Sequence, residues 1–230
     1  MKKLTGKISK VIKLTPTVKH FEIELPEKFD FIAGQFVNLS FREGDELYRK
    51  PYSIASHPND SNKIELCIKL VENGHLTPKL WDKDVGFEVE IMGPLGLFNN
   101  SNIKKEKIVF IGTGTGIGPL RSMIFDELKK GSQKHITLVF GVRQNGHHLY
   151  DNEFKELEKI NPNFKYIPVT SKPDEKWIGR CGYVQNNFEV IDPLNSECYI
   201  CGLPQMVDDA ENKLLEMGLS KEQSKHEKYV

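Results

Sequence analysis

A chain of 230 residues can bury two small cores, and its 32 basic and 32 acidic side chains cancel, so no net field draws it to nucleic acid or to an anionic membrane. The start, Met1-Lys2-Lys3-Leu4-Thr5-Gly6-Lys7, has the basic character of a signal peptide with no apolar stretch behind it, and no apolar run reaches the length that spans a bilayer. That pattern is expected of a cytoplasmic protein, and the four scattered cysteines, Cys67, Cys181, Cys198 and Cys201, exclude a disulfide scaffold.

The first half reads as strands. Residues 4–14, 18–25, 35–41, 47–56, 63–71 and 85–92 are short segments, many alternating in polarity, separated by Gly, Pro, Asp and Asn clusters. A small antiparallel barrel fits that spacing. Within it, Lys50-Pro51-Tyr52-Ser53-Ile54-Ala55-Ser56 gathers an aromatic ring and hydroxyls beside Arg49 and Lys50. The one helical start is Gly74-His75-Leu76-Thr77-Pro78-Lys79-Leu80-Trp81, with Thr77 predicted as its N-cap and Pro78 at the first helical position. Such a terminus can receive an anion. The junction between the halves is expected near Asn99-Asn100-Ser101-Asn102, giving domains 1–100 and 101–230.

The second half alternates strand and helix. Lys107-Ile108-Val109-Phe110-Ile111 is the apolar, β-branched run of a buried parallel strand, and it leads directly into Gly112-Thr113-Gly114-Thr115-Gly116-Ile117-Gly118-Pro119; residues 119–128 then show helical spacing. Strand, glycine turn and helix make a phosphate site, because glycine admits close backbone approach and the first helical N–H groups face the anion. The turn departs from the usual dinucleotide fingerprint: Ile117 or Pro119 stands where a third glycine is expected. Further strands are predicted at 136–140, 164–169 and 198–200, and a helix at Gln205–Met217. This is a doubly wound α/β pattern, in which ligands sit at the carboxyl ends of the strands; Gly202, after Cys201, lies at such an end. No acid follows the strand before Gly141, where an NAD site usually keeps one for the ribose, whereas Arg143 and Thr170-Ser171-Lys172 offer cations and hydroxyls to a 2′-phosphate. NADPH is therefore favoured over NADH.

Metal chemistry is not expected. Cys198 and Cys201 form a C-x-x-C, but residues three apart in a strand point to opposite faces, and the four-cysteine set of a two-iron cluster is missing. His147-His148 reads as a loop or surface pair. Taken singly, Tyr52 and Ser53 are ordinary strand residues, Trp177 a core aromatic and Cys201 a small buried hydrophobe. The ordered set points elsewhere: a hydroxyl-aromatic cluster in the barrel and a glycine turn in the α/β half suggest two nucleotide cofactors face to face.

In that order the motifs resemble those of the ferredoxin–NADP reductase superfamily over essentially the whole chain, and most closely its compact bacterial flavin and ferredoxin reductases. Lys50-Pro51-Tyr52-Ser53 is similar to the family's Arg-x-Tyr-Ser, Gly74 to Thr77 to its Gly-x-x-Ser/Thr, and Gly93-Pro94-Leu95-Gly96-Leu97-Phe98 to its Gly-Pro-x-Gly-x-Phe turn. Gly112 to Pro119, Trp177-Ile178-Gly179-Arg180-Cys181-Gly182-Tyr183-Val184, Cys201-Gly202-Leu203-Pro204-Gln205-Met206 and the closing Glu227-Lys228-Tyr229 match in the second half.

The resemblance implies that Tyr52 packs on a flavin isoalloxazine with Ser53 near N5. Arg49, Lys50 and Pro51 lie alongside, and the backbone of Ile68, Lys69 and Leu70 meets the pyrimidine edge. Gly74, His75, Leu76 and Thr77 hold the flavin phosphates. Gly114, Thr115 and Gly116 face the coenzyme pyrophosphate, Cys201 and Gly202, with Leu203 and Met206, place the nicotinamide, and Glu227 and Tyr229 form a C-terminal gate at the flavin face. Lys50 departs from the family arginine and supplies a point charge where a bidentate fork is usual. The expected activity is hydride transfer from NADPH or NADH to FAD, or FMN, with electrons passed to ferredoxin or flavodoxin. The alternatives are an NAD(P)H:flavin reductase using free flavin as substrate and an electron-transfer subunit of a larger redox complex.

Overall fold

A computed structural model describes residues 1–59 and 61–229; Asp60 and Val230, the latter at the end of the expected C-terminal gate, lie outside the described residues. The chain divides into two compact units, one of residues 1–101 with 121–126, the other of residues 102–120 with 127–230.

The first unit is an antiparallel sheet of β1 (Lys2–Thr15), β2 (Val18–Glu24), β3 (Phe36–Glu43), β4 (Glu46–Ser53), β5 (Lys63–Lys69) and β6 (Glu88–Leu95), in the order β4-β3-β6-β1-β2-β5. The sheet curls until Ile54, just past β4, bridges Leu66 of β5. Alternation puts Phe21, Ile23, Val37, Leu39, Ile64, Leu66, Ile68, Val89 and Ile91 on the inner face, where all are buried. Helix α1 (Thr77–Trp81), which follows β5, has five residues. Thr77 is not its N-cap. Leu76 occupies that position, and the Thr77 hydroxyl is held by Val71, accepting from its N–H at 3.0 Å and donating to its carbonyl at 3.2 Å.

The second unit is a parallel sheet of β7 (Lys107–Thr113), β8 (His135–Val142), β9 (Phe164–Thr170), β10 (Arg180–Cys181), β11 (Ser196–Gly202) and β12 (Ser224–Lys228), in the order β10-β9-β8-β7-β11-β12. Helix α2 (Ile117–Lys129) follows β7, α3 (Asp151–Ile160) follows β8, and α4 (Pro204–Glu216) joins β11 to β12. One face of the sheet packs Val109, Ile111, Val139, Ile167 and Ile200 against Val207, Ala210 and Leu214 of α4. Strand order reverses between β7 and β11, so the switch point, where α/β sheets bind ligands, lies between the Gly114 turn and Gly202.

One further expectation is overturned here. His148 is no surface residue: it is buried, its ring stacked on Trp177 with centroids 5.0 Å apart and planes at 8°. Toward the C-terminus β12 pairs with β11 from Ser224 opposite Cys198 to Lys228 opposite Gly202.

Candidate active site

In the first unit the end of β4 is fixed on both sides. Tyr52 stands opposite Val37 and Ser53 opposite Phe36 of β3; Ile54 N–H donates to Gln35 O at 2.9 Å and Ala55 N–H to Glu65 O at 2.7 Å. Arg121 and Ser122, which belong to this unit, hold the next turn: Arg121 Nη1 donates to Ala55 O at 2.7 Å and pairs with Glu65 at 2.6 Å, while Ser122 Oγ donates to Ser56 O at 2.5 Å. Sequence reasoning missed both residues. The available signal was a charge and a hydroxyl among the apolar residues of 117–125.

Ser53 is buried and Tyr52 half-buried, with the Tyr52 hydroxyl oxygen buried and without a hydrogen-bond partner. Burial raises the Tyr52 phenol above its ordinary value, so it stays protonated. A buried hydroxyl with no partner costs roughly 1–3 kcal/mol, and a polar ligand beside the ring relieves that cost. Ile68 is in the core, Lys69 is exposed, and Leu70 is pinned by its N–H to Thr17 O at 2.8 Å. The Gly74–Thr77 turn lies next to β4, because His75 stacks on Tyr48 at 4.7 Å and its Nε2 is 3.3 Å from Leu47 O. Leu76 is buried beneath the turn, and Arg49, Lys50 and Pro51, which follow Tyr48 in the strand, are all exposed. The Tyr48–His75 stack thus ties the Gly74–Thr77 turn to β4.

In the second unit the switch point is formed by backbone. A Cβ on Gly116 would lie 2.6 Å from Cys201 C and 2.9 Å from Gly202 N, so only glycine lets the turn press against the end of β11. Gly114 has φ +55° with open space around it, a left-handed conformation that glycine adopts without strain. Thr113, missed by sequence reasoning, fits between them: its Oγ1 stands against Gly202, buried and without a hydrogen-bond partner. A narrow backbone cradle with an unsatisfied hydroxyl suits a phosphorylated ligand. Thr115 is half-exposed on the rim; Leu203 is exposed, and Met206 is half-buried beside Gly202.

Cys201 is fully buried. Burial, reinforced by the Glu227 carboxylate, pushes its thiol well above the ordinary value, and the Tyr229 hydroxyl bond pulls the other way without reversing the shift. It is a neutral thiol, suited to shaping a site and not to nucleophilic attack. Glu227 is its partner in the β11–β12 ladder. At the other side of the sheet, Lys172 N–H donates to Arg143 O at 2.8 Å and Ser171 N–H to Val142 O at 2.9 Å, which brings the exposed Arg143 and Lys172 together at the carboxyl ends of β8 and β9.

The family models agree with this layout. The "Oxidoreductase FAD-binding domain" family matches residues 5–100 and the "Oxidoreductase NAD-binding domain" family residues 110–212. The chain is 34% identical over 218 residues to the reductase component of phenol 2-monooxygenase from Pseudomonas, covering 92% of this chain and 61% of that component. It is 32% identical over 205 residues to a ferredoxin–NADP reductase of Sorangium cellulosum, covering 84% of each chain. A crystal structure of a cytochrome P450 reductase from Amycolatopsis superposes with a TM-score of 0.91 at 26% identity, covering 99% of this chain and 69% of that one. The chain spans about six-tenths of the length of the phenol-oxidising relatives it matches. With both cofactor modules present in order, and a reductase relative matched over most of both lengths, the chain belongs to the ferredoxin–NADP reductase family.

Proposed function

We propose that the protein takes hydride from NADPH onto FAD and passes the electrons to a small redox protein such as a ferredoxin or flavodoxin. FAD, when bound, supplies a ring that accepts electrons as a pair and releases them singly. In this reading residues 1–100 hold the flavin: Tyr52 stacks on the ring, Ser53 presents its hydroxyl at N5, Ile68 to Leu70 offer backbone to the pyrimidine edge, and Arg49, Lys50 and Gly74 to Thr77 receive the phosphates. Residues 101–230 hold the coenzyme. Gly114, Thr115 and Gly116 cradle its pyrophosphate, Cys201, Gly202, Leu203 and Met206 shape the nicotinamide end, and Glu227 and Tyr229 border it. The observation that carries the reading is the Gly116–Cys201 approach beside the unpartnered Thr113 hydroxyl, a cradle that admits phosphate and excludes side chains.

The preference for NADPH rests on the Arg143–Lys172 pair. Asp174 in the same loop accepts from Asn145 Nδ2 at 2.5 Å and Lys176 N–H at 2.8 Å through one carboxylate oxygen, while Arg143 and Lys172 are exposed and can meet a 2′-phosphate. Arg143→Ala and Lys172→Ala should each lower kcat/KM for NADPH more than for NADH; equal losses, or a native preference for NADH, reject the assignment. No helix among the described residues is long and apolar enough to cross a membrane, in keeping with a cytoplasmic enzyme. The 34% identity to a monooxygenase reductase component supports a second acceptor, an oxygenase partner. Reduction of a purified ferredoxin and of a purified oxygenase component at equal concentration separates the two. A third reading, free flavin as substrate, draws on Lys50 as a point charge; a protein that elutes colourless from gel filtration after loading with FAD supports it.

A further inference from the structure

The loop that carries Lys172 is fastened by the segment that follows Arg143. Asn145 bonds Asp174, and His148 lies flat against Trp177, at 5.0 Å and 8°. His148 is itself held on three sides: edge-on by Phe140 of β8 at 6.1 Å, by Val169 O of β9 3.2 Å from its Nε2, and by Trp177. Trp177 continues the chain of contacts, donating from Nε1 to Arg180 O at 2.9 Å, and Gly179 lies so close under its ring that a Cβ there would be 2.8 Å from Cε2. Tyr150, two residues after His148, is the one non-glycine residue of positive φ among the described residues, at 59°, a conformation that persists only where its surroundings impose it.

We propose that His148 is a positioning residue for the coenzyme: stacked on Trp177, it holds the 171–180 loop so that Lys172 stays beside Arg143 and the adenosine-phosphate end of NADPH meets a preformed cationic pair. The imidazole touches neither cation, so its effect passes through Trp177 and the loop backbone. Binding then loses no free energy to ordering that loop. The role rests on the reading that Arg143 and Lys172 receive the 2′-phosphate.

The test is binding of 2′,5′-ADP to the FAD-loaded protein, by calorimetry, alongside steady-state kinetics with NADPH. His148→Ala should weaken 2′,5′-ADP by about three- to tenfold, the worth of one aromatic stack, and raise KM for NADPH by a similar factor with kcat unchanged. His148→Phe, which keeps a flat ring, should restore both. Trp177→Ala should show the same loss, and the double variant His148→Ala/Trp177→Ala no more than either single one. Full affinity in His148→Ala, no rescue by phenylalanine, or additive losses overturn the role; should the alanine variant fail to fold, the phenylalanine and Trp177→Ala variants carry the same comparison. Arg143→Ala run in parallel tests the underlying reading. A loss there with none in His148→Ala overturns the positioning role alone, and no loss in either Arg143→Ala or Lys172→Ala overturns both.

Discussion

The backbone N–H of Tyr229 donates to the carbonyl of Gly202 at 2.8 Å. The last described residue is therefore fastened to the loop where the nicotinamide end of the coenzyme is proposed to lie, and Tyr229 also bonds the buried Cys201 thiol. Deleting Tyr229 and Val230 removes both bonds, each worth about 1 kcal/mol net. The truncated protein should melt lower and bind coenzyme differently. A melting temperature equal to the intact chain's would mean that these bonds contribute nothing.

Two glycines of one turn should respond differently to alanine. At Gly114 the cost is conformational, about 1 kcal/mol for a left-handed φ, and the open space there leaves the crevice intact. At Gly116 the new Cβ meets the backbone of Cys201 and Gly202, so the turn must separate from β11, at about 1–3 kcal/mol. Coenzyme affinity should fall sharply in Gly116→Ala and little in Gly114→Ala. Equal affinities in the two variants contradict the cradle.

Tyr52 gives a readout for the flavin. Tyr52→Ala should weaken FAD by about 1 kcal/mol, or about fivefold in dissociation constant, through loss of an aromatic face, while Tyr52→Phe should retain most of that affinity. Unchanged FAD retention in the alanine variant rejects the stack.

Glu197 anchors the C-terminal strand. It is buried, with one carboxylate oxygen accepting from Lys104 N–H at 2.8 Å and Lys105 N–H at 3.4 Å, and the other from Lys225 Nζ of β12 at 3.0 Å. Burial alone would raise its pKa, but these donors outweigh it and hold the carboxyl below its ordinary 4.5. A depressed carboxylate stabilises the fold above that ordinary value and loses its contribution as pH falls through the lowered one. Stability should therefore decline below about pH 4.5, and Glu197→Ala should be less stable at neutral pH by roughly 1–3 kcal/mol with a flatter acid limb in a pH series of urea melts. An unchanged acid limb in that variant assigns the decline to other groups.

Much of the fold was legible because apolar runs and glycines coincide with its central elements. The β7–glycine–α2 unit, the strands of the curled sheet and α4 all announce themselves by periodicity or composition. What was missed is polar and lies at an edge. The β12 sequence Ser-Lys-His-Glu-Lys has no apolar alternation, and its place is fixed by ladder bonds and by Glu197, which stands in a distant segment. Helix α3 fully buries only Phe154 and is polar on average, so it lacks the apolar content that marks the other elements. Thr77 looks like a cap in sequence because a Thr-Pro pair precedes a helical run, but its hydroxyl finds Val71 first. His148 could not be read as buried, since the ring that covers it lies across a loop at Trp177. At the candidate site, the glycines and Tyr52 are proposed from residue type; Thr113, Arg121 and Ser122 are placed by tertiary neighbours that the sequence does not show.

The central claim is a path of electrons from NADPH through FAD to a protein acceptor. Anaerobic stopped-flow mixing of the FAD-loaded protein with NADPH, followed at the flavin absorption band, tests it most directly. The band should bleach within the mixing experiment, faster with NADPH than with NADH, and return on a second mixing with oxidised ferredoxin or flavodoxin. A flavin band that neither coenzyme bleaches, or a bleached band that no protein acceptor restores while free FMN does, would contradict it.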